Sequence, residues 1–243
     1  MVRVERPSAE IVLVTIDRPE RRNAVDIATL DGLSAAFGEV ALPGTRVVVL
    51  TGAPPAFCAG ADLGGAESEV FQKSLAGALR TIAGCPVPVV AAIDGPALGA
   101  GSQLLSVCDL RVATERSTFG IPAARLGLAV DQWTVDRLVR EFGWGIARAM
   151  LVGAEVFDTH RMMSAGAVHR VGDLDAALAW AETLAAQAPL TVVAHKAALD
   201  AVADPAGSAV DVESLRLAAW ASADASEGRQ AFLEKRPPRF TAS

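Results

Sequence analysis

Four short runs of apolar, mostly β-branched residues constrain the fold of this chain more than any other feature: residues 11–16, 46–51, 88–93 and 110–114. The second and third are apolar almost throughout. They read as strands buried on both faces, as in a sheet covered by helices on either side. Helical patterns lie between the runs. Asp26 stands where it can cap a helix carrying Leu30, Leu33 and Phe37 on one stripe, and Ser68 can open one carrying Phe71, Leu75, Leu79 and Ile82. A glycine-rich turn at 95–101 leads into a short helix through Val107. The second half is mostly helical. Asp131 can cap a helix through Phe142, and 143–152 continues helically. A short strand at 167–171 precedes helices over 173–187, 190–203, 210–225 and 227–235, with a loop at 204–208. The expectation is an α/β core over residues 1–185 and a helical part over 186–243. A length of 243 residues allows one or two domains.

Charge excludes one class of function. Lys and Arg number 22 against 28 Asp and Glu, a net charge of −6 with no basic run, so nucleic acid is not an expected partner. A 51% share of apolar residues rules out a disordered chain. Cys58, Cys85 and Cys108 are odd in number and lack tight spacing, which favours reduced thiols over disulfides or a zinc site. The first six residues hold no apolar signal core. The apolar stretch 87–105 is interrupted by Asp94, two prolines and three glycines, so no membrane span is expected. A cytoplasmic protein is expected.

Two segments place small residues where the chain must bend after a strand: Phe57-Cys58-Ala59-Gly60-Ala61-Asp62-Leu63 and Gly95-Pro96-Ala97-Leu98-Gly99-Ala100-Gly101-Ser102-Gln103. Small residues let a ligand approach the backbone. Unpaired N–H groups at the start of a helix favour negative charge. The pair reads either as ordinary tight turns or as the two halves of an oxyanion hole.

With these segments, Asp17-Arg18-Pro19, Arg22-Asn23-Ala24, Cys108-Asp109-Leu110-Arg111, Phe119-Gly120-Ile121-Pro122 and the tail from Phe232 to Phe240 follow one another across nearly the whole chain. In that order they resemble the crotonase superfamily, the enoyl-CoA hydratase/isomerase family. The resemblance implies an α/β fold of the ClpP/crotonase-like type, with repeated β-β-α units and a C-terminal helical part that forms trimers and closes over CoA. It implies a homotrimer or hexamer, an acyl-CoA ligand, and no cofactor or metal. By family position the thioester oxygen would accept hydrogen bonds from the N–H groups of Ala61 and Ala100. Ala24, Ala59 and Leu63 would line the CoA site, and Lys235 would reach its nucleotide end. Gly64 stands where a basic residue is common, which implies fewer CoA contacts.

The resemblance also exposes a departure. Hydration of an enoyl double bond needs an activated water and a proton for the α-carbon, and the family's hydratases use two glutamates. Those positions hold Gln103 and Ala123. Each positioned acid or base contributes about 10²–10⁴-fold. Losing both would remove roughly 10⁴–10⁸ if the effects add, or about 5–11 kcal/mol. Gln103 reads as a ligand contact or as an anchor for the helix start. Asp131 is the remaining carboxylate: it reads as a helix cap, and also as the base of an isomerase. The run from Leu126 to Trp133, with Gln103 and Ala123, is similar to a mycobacterial-type member of the superfamily lacking both glutamates. That implies binding an acyl-CoA more than turning it over, with Trp133 as a wall of the acyl pocket or a core residue. A serine hydrolase using Ser102 is the alternative from another class. His160, His169 and His195 show no triad pattern, and Cys58 reads as a small buried residue.

Overall fold

The computed structural model describes residues 1–39, 44–62, 68–203 and 210–243. Its strands are Val2–Glu5 (β1), Ile11–Ile16 (β2), Val47–Gly52 (β3), Val89–Ile93 (β4), Pro96–Leu98 (β5), Leu110–Ala113 (β6), Thr118–Gly120 (β7), Val156–Asp158 (β8) and Arg170–Val171 (β9). Its α-helices are Ile27–Glu39 (α1), Glu69–Ala83 (α2), Ala100–Leu105 (α3), Gln132–Phe142 (α4), Trp144–Leu151 (α5), Thr159–Ser164 (α6), Leu174–Ala185 (α7), Pro189–Ala203 (α8), Val212–Ala221 (α9) and Ala223–Glu234 (α10).

β2, β3 and β4 are buried at every residue. They form the centre of a sheet ordered β1-β2-β3-β4-β6-β9, parallel except for β1 against β2. Alternation along each strand divides the core in two. Val12, Val14, Ile16, Val48 and Leu50 face a cluster with Leu30, Leu33 and Phe37 of α1 and Phe71, Leu75 and Leu79 of α2. Ile11, Leu13, Val47, Val49 and Val90 face the opposite side, where Ala177, Ala181 and Ala185 line α7 at a spacing of four. Three helices start on the side chains expected to cap them. Asp26 accepts from Thr29 N–H at 2.8 Å, Ser68 from Phe71 N–H at 3.2 Å, and Asp131 from Thr134 N–H at 2.7 Å.

The structure differs from the sequence expectation in several places. A second sheet, ordered β5-β7-β8, was not expected: β5 falls in the glycine-rich turn, and β7 and β8 in stretches to which no element was assigned. Its strands have three residues each, too few to show a hydrophobic period. The strand expected at 167–171 pairs only at Arg170 and Val171. The helix expected over 210–225 breaks at Ser222, whose extended backbone and hydroxyl, accepting from Ala225 N–H at 3.1 Å, start α10. The loop expected at 204–208 lies outside the described residues.

The C-terminal helices are tied to the sheet by polar contacts. Lys196 of α8 donates to Asp109 at 2.5 Å, and Asp109 also accepts from Val89 N–H at 2.7 Å. Arg46 donates to the carbonyls of Ala185 at 2.9 Å and Phe240 at 3.0 Å. Among the described residues no helix is long and apolar enough to cross a membrane.

Candidate functional site

The two small-residue turns are joined by main-chain bonds. Cys58 N–H donates to Pro96 O at 3.0 Å, and Leu98 N–H donates to Cys58 O at 2.9 Å. Glycine is required for this approach. A Cβ at Gly101 would sit 2.2 Å from Cys58 O, and one at Gly60 (φ +122°) would sit 3.3 Å from Leu98 O. The first turn is pinned on its other flank as well. Ala59 N–H reaches Arg22 O at 3.0 Å, Val25 N–H reaches Gly60 O at 2.8 Å, and Asp62 N–H returns to Val25 O at 2.8 Å. Asn23, fully buried with φ +58°, donates to the carbonyls of Ala53 and Ala56, each at 2.6 Å. Arg18 donates to Ala24 O and pairs with Asp26 at 3.0 Å and Asp62 at 3.4 Å. Ala61 sits between these restraints. Ala100 opens α3, where the first residue to donate within the helix is Gln103, to Gly99 O at 3.1 Å. Neither Ala61 nor Ala100 N–H donates to an acceptor among the described residues.

Both turns face one cavity of about 220 Å³. Ala59, Ala61, Ala100, Gln103, Ala123 and Asp131 all line it. Phe71, Leu75, Leu79 and Ile121 give it an apolar wall. Asp131 is its only carboxylate among the described residues, and there it both lines the cavity and caps α4.

Other expected site residues lie elsewhere. Ala24 stands behind the first turn, its carbonyl held by Arg18. Leu63 lies outside the described residues. Trp133 does not wall the cavity. It follows Asp131 by two positions on α4, which turns it into a neighbouring groove with Arg137 and Arg140, its ring 5.3 Å from the Arg80 guanidinium. Lys235 ends α10 in a left-handed conformation (φ 55°), exposed and away from the cavity. Ser102 does not serve a hydrolase. Its hydroxyl is fully buried, donates to Ala97 O at 2.6 Å and accepts from Gly120 N–H at 3.0 Å. That bonding leaves it no base and no access to the cavity. Burial raises the Cys58 thiol to about 12, so it is no nucleophile near neutral pH.

Sequence reasoning missed the double role of α2. Phe71, Leu75 and Leu79 form the expected core stripe, yet the same face lines the cavity. Apolar periodicity looks the same for both uses. The motif residue Arg111 is scaffolding: 2% exposed, it donates to the carbonyls of Ala167, Leu105 and Cys108 and to Glu141.

A parallel α/β core whose two small-residue turns meet over an apolar cavity defines the crotonase class of proteins. The profile described as enoyl-CoA hydratase/isomerase matches residues 6–243, and the chain belongs to that family. It is 41% identical over 96% of its length to the "Probable enoyl-CoA hydratase echA6" of Mycobacterium tuberculosis, covering 96% of that relative. It is 35% identical over 95% of its length to the 2,3-dehydroadipyl-CoA hydratase of Escherichia coli, covering 94% of it. Among solved structures, an enoyl-CoA hydratase/carnithine racemase from Magnetospirillum magneticum superposes with a TM-score of 0.90 at 32% identity, covering 100% of this chain and 96% of the other. The enoyl-CoA hydratase from Bacillus anthracis gives 0.87 at 28% identity, covering 100% and 99%.

Proposed function

We propose that this protein binds an acyl-CoA with its thioester oxygen between the N–H groups of Ala61 and Ala100, and that it is an inefficient hydratase. One observation carries the reading. The cavity that holds both unpaired N–H groups also holds Gln103 and Ala123, at the positions where family hydratases carry glutamates. An amide and a methyl group cannot activate water or deliver a proton near neutral pH. Backbone donors still hold and polarise the carbonyl. The C-terminal helical part would form the trimer contact, bringing Lys235 to the nucleotide end of a bound CoA. Phe232 and Leu233, at 82% and 80% exposure beside Lys235, support a neighbouring subunit there.

Titration with acyl-CoAs of several chain lengths, with product analysis of the same samples, tests this. The expected result is saturable binding with a rise in melting temperature, and crotonyl-CoA hydration slower than an ordinary hydratase by at least about 10⁴-fold. Hydration at ordinary enzymatic rates would overturn the reading. A second reading is an enoyl-CoA isomerase using Asp131, supported by that carboxylate's place on the cavity wall.

A further inference from the structure

Outside the cavity, a groove of about 630 Å³ runs between α2, α4, α8 and α9. Its charge is opposite to that of the whole chain, which is −6. Arg80 of α2, Arg137 and Arg140 of α4 and Lys196 of α8 line it, against one carboxylate, Asp200, among the described residues. The four cations are not equally committed. Lys196 is held by Asp109 at 2.5 Å. Arg137 is 8% exposed, and its Nε donates to Ser106 O at 3.1 Å. Its Nη1 and Nη2 stand 3.7 Å from Asp200 and Glu141, beyond hydrogen-bond length. Arg140, three positions on and exposed, has no side-chain hydrogen bond or ion pair among the described residues. The Arg80 guanidinium rests on the Trp133 ring and has no carboxylate partner there.

The rest of the lining is apolar. Val193 and Ala197 are four apart on α8 and share a face, with Ala83 of α2 and Leu215 of α9 around them. The volume falls in the range of small-molecule sites, about 300–1,000 Å³. Guanidinium forks bind carboxylates, and apolar walls hold an alkyl chain. The acids nearby already have cations: Asp200 lies 3.7 Å from Arg137 and 3.8 Å from Lys196, and Glu141 pairs with Arg111 at 2.7 Å. We propose that this groove is a second ligand site that binds a free long-chain fatty acid, its carboxylate on Arg137 and Arg140 and its chain along Val193, Ala197 and Leu215. The bound acid would span α4 of the core and α8 and α9 of the C-terminal part. The groove and the cavity share no lining residue, so the site stands whether or not the cavity takes an acyl-CoA.

Calorimetric titration of the full chain with dodecanoate tests the proposal. Butyrate keeps the charge without the chain, and dodecyltrimethylammonium keeps the chain with the opposite charge. Dodecanoate is expected to bind one-to-one, and each of the other two at least about ten-fold more weakly. Arg140→Glu changes an exposed side chain and is expected to weaken dodecanoate by about ten-fold or more. Arg140→Gln serves the same purpose should the charge reversal disturb folding. Saturating octanoyl-CoA is expected to leave dodecanoate binding in place. Displacement by octanoyl-CoA puts the fatty acid in the cavity and overturns the proposal. So does binding of butyrate or dodecyltrimethylammonium as tight as that of dodecanoate, an affinity unchanged in both Arg140 variants, or a failure of dodecanoate to bind saturably.

Discussion

Single residues in this chain carry two tasks at once, and Asp131 is the clearest case. Its carboxylate accepts from Thr134 N–H at 2.7 Å while lining the cavity. Asp131→Ala is expected to lower unfolding stability by about 1 kcal/mol through loss of the cap. If the isomerase reading holds, the same change lowers 3-enoyl-CoA isomerisation by about 10²-fold or more. Urea unfolding and a spectroscopic isomerase assay on one preparation separate the two effects. His169 makes a different prediction. Its Nδ1 accepts from Arg111 N–H at 3.1 Å, and burial together with the Arg111 guanidinium pushes its pKa down to about 4. The fold thus favours neutral imidazole. The stabilisation is complete above the ordinary value near 6.5 and is lost as pH falls from about 6.5 toward 4. The side chain is partly exposed, and after allowance for solvent screening the effect is about 1 kcal/mol or less. The fall in melting temperature between pH 7 and pH 4.5 should be smaller in His169→Gln than in the wild type.

Elements were legible to the degree that they bury a regular pattern. β2, β3 and β4 announce themselves as unbroken apolar runs, and α1, α2 and α4 as stripes preceded by Asp or Ser. β5, β7 and β8 were not legible. Three residues cannot display a period, and their partners lie up to 40 positions away in sequence. The two turns were visible as glycine clusters, but their union through Cys58 and Leu98 was not, because main-chain pairing leaves little trace in side-chain identity. Trp133 read equally as a pocket wall or a core residue, and it packs partly buried against the core; the helix was foreseen, but which of its faces meets the cavity depends on how α4 docks. The turn geometry makes a sharp prediction. Gly101→Ala sets a Cβ 2.2 Å from the Cys58 carbonyl, a backbone atom that cannot swing aside. It should cost about 3 kcal/mol or more. Gly145→Ala in α5, where a Cβ meets nothing within 4 Å, should instead stabilise by up to about 1 kcal/mol. Paired urea denaturation curves check both.

At the scale of the whole molecule, the sheet and the C-terminal helices meet through few polar links. Lys196, 9% exposed, bonds Asp109 and lies 3.8 Å from Asp200. Lys196→Met leaves the partly buried Asp109 without its cation and is expected to destabilise by about 2 kcal/mol. Limited proteolysis should then cut α8 to α10 sooner than in the wild type. The sequence showed the motif Asp109 and the helix bearing Lys196, but not that the two meet 87 positions apart.

The joined turns have one further consequence. The spacing of Ala61 and Ala100 is held by peptide groups, whereas Gln103 and Ala123 line the cavity with side chains that none of these main-chain bonds uses. A protein engineer can therefore treat the cavity as a socket of fixed pins with interchangeable fittings. Acids, amides or apolar groups can be exchanged at Gln103 and Ala123 to reprogram the chemistry while the grip on a carbonyl stays as it is.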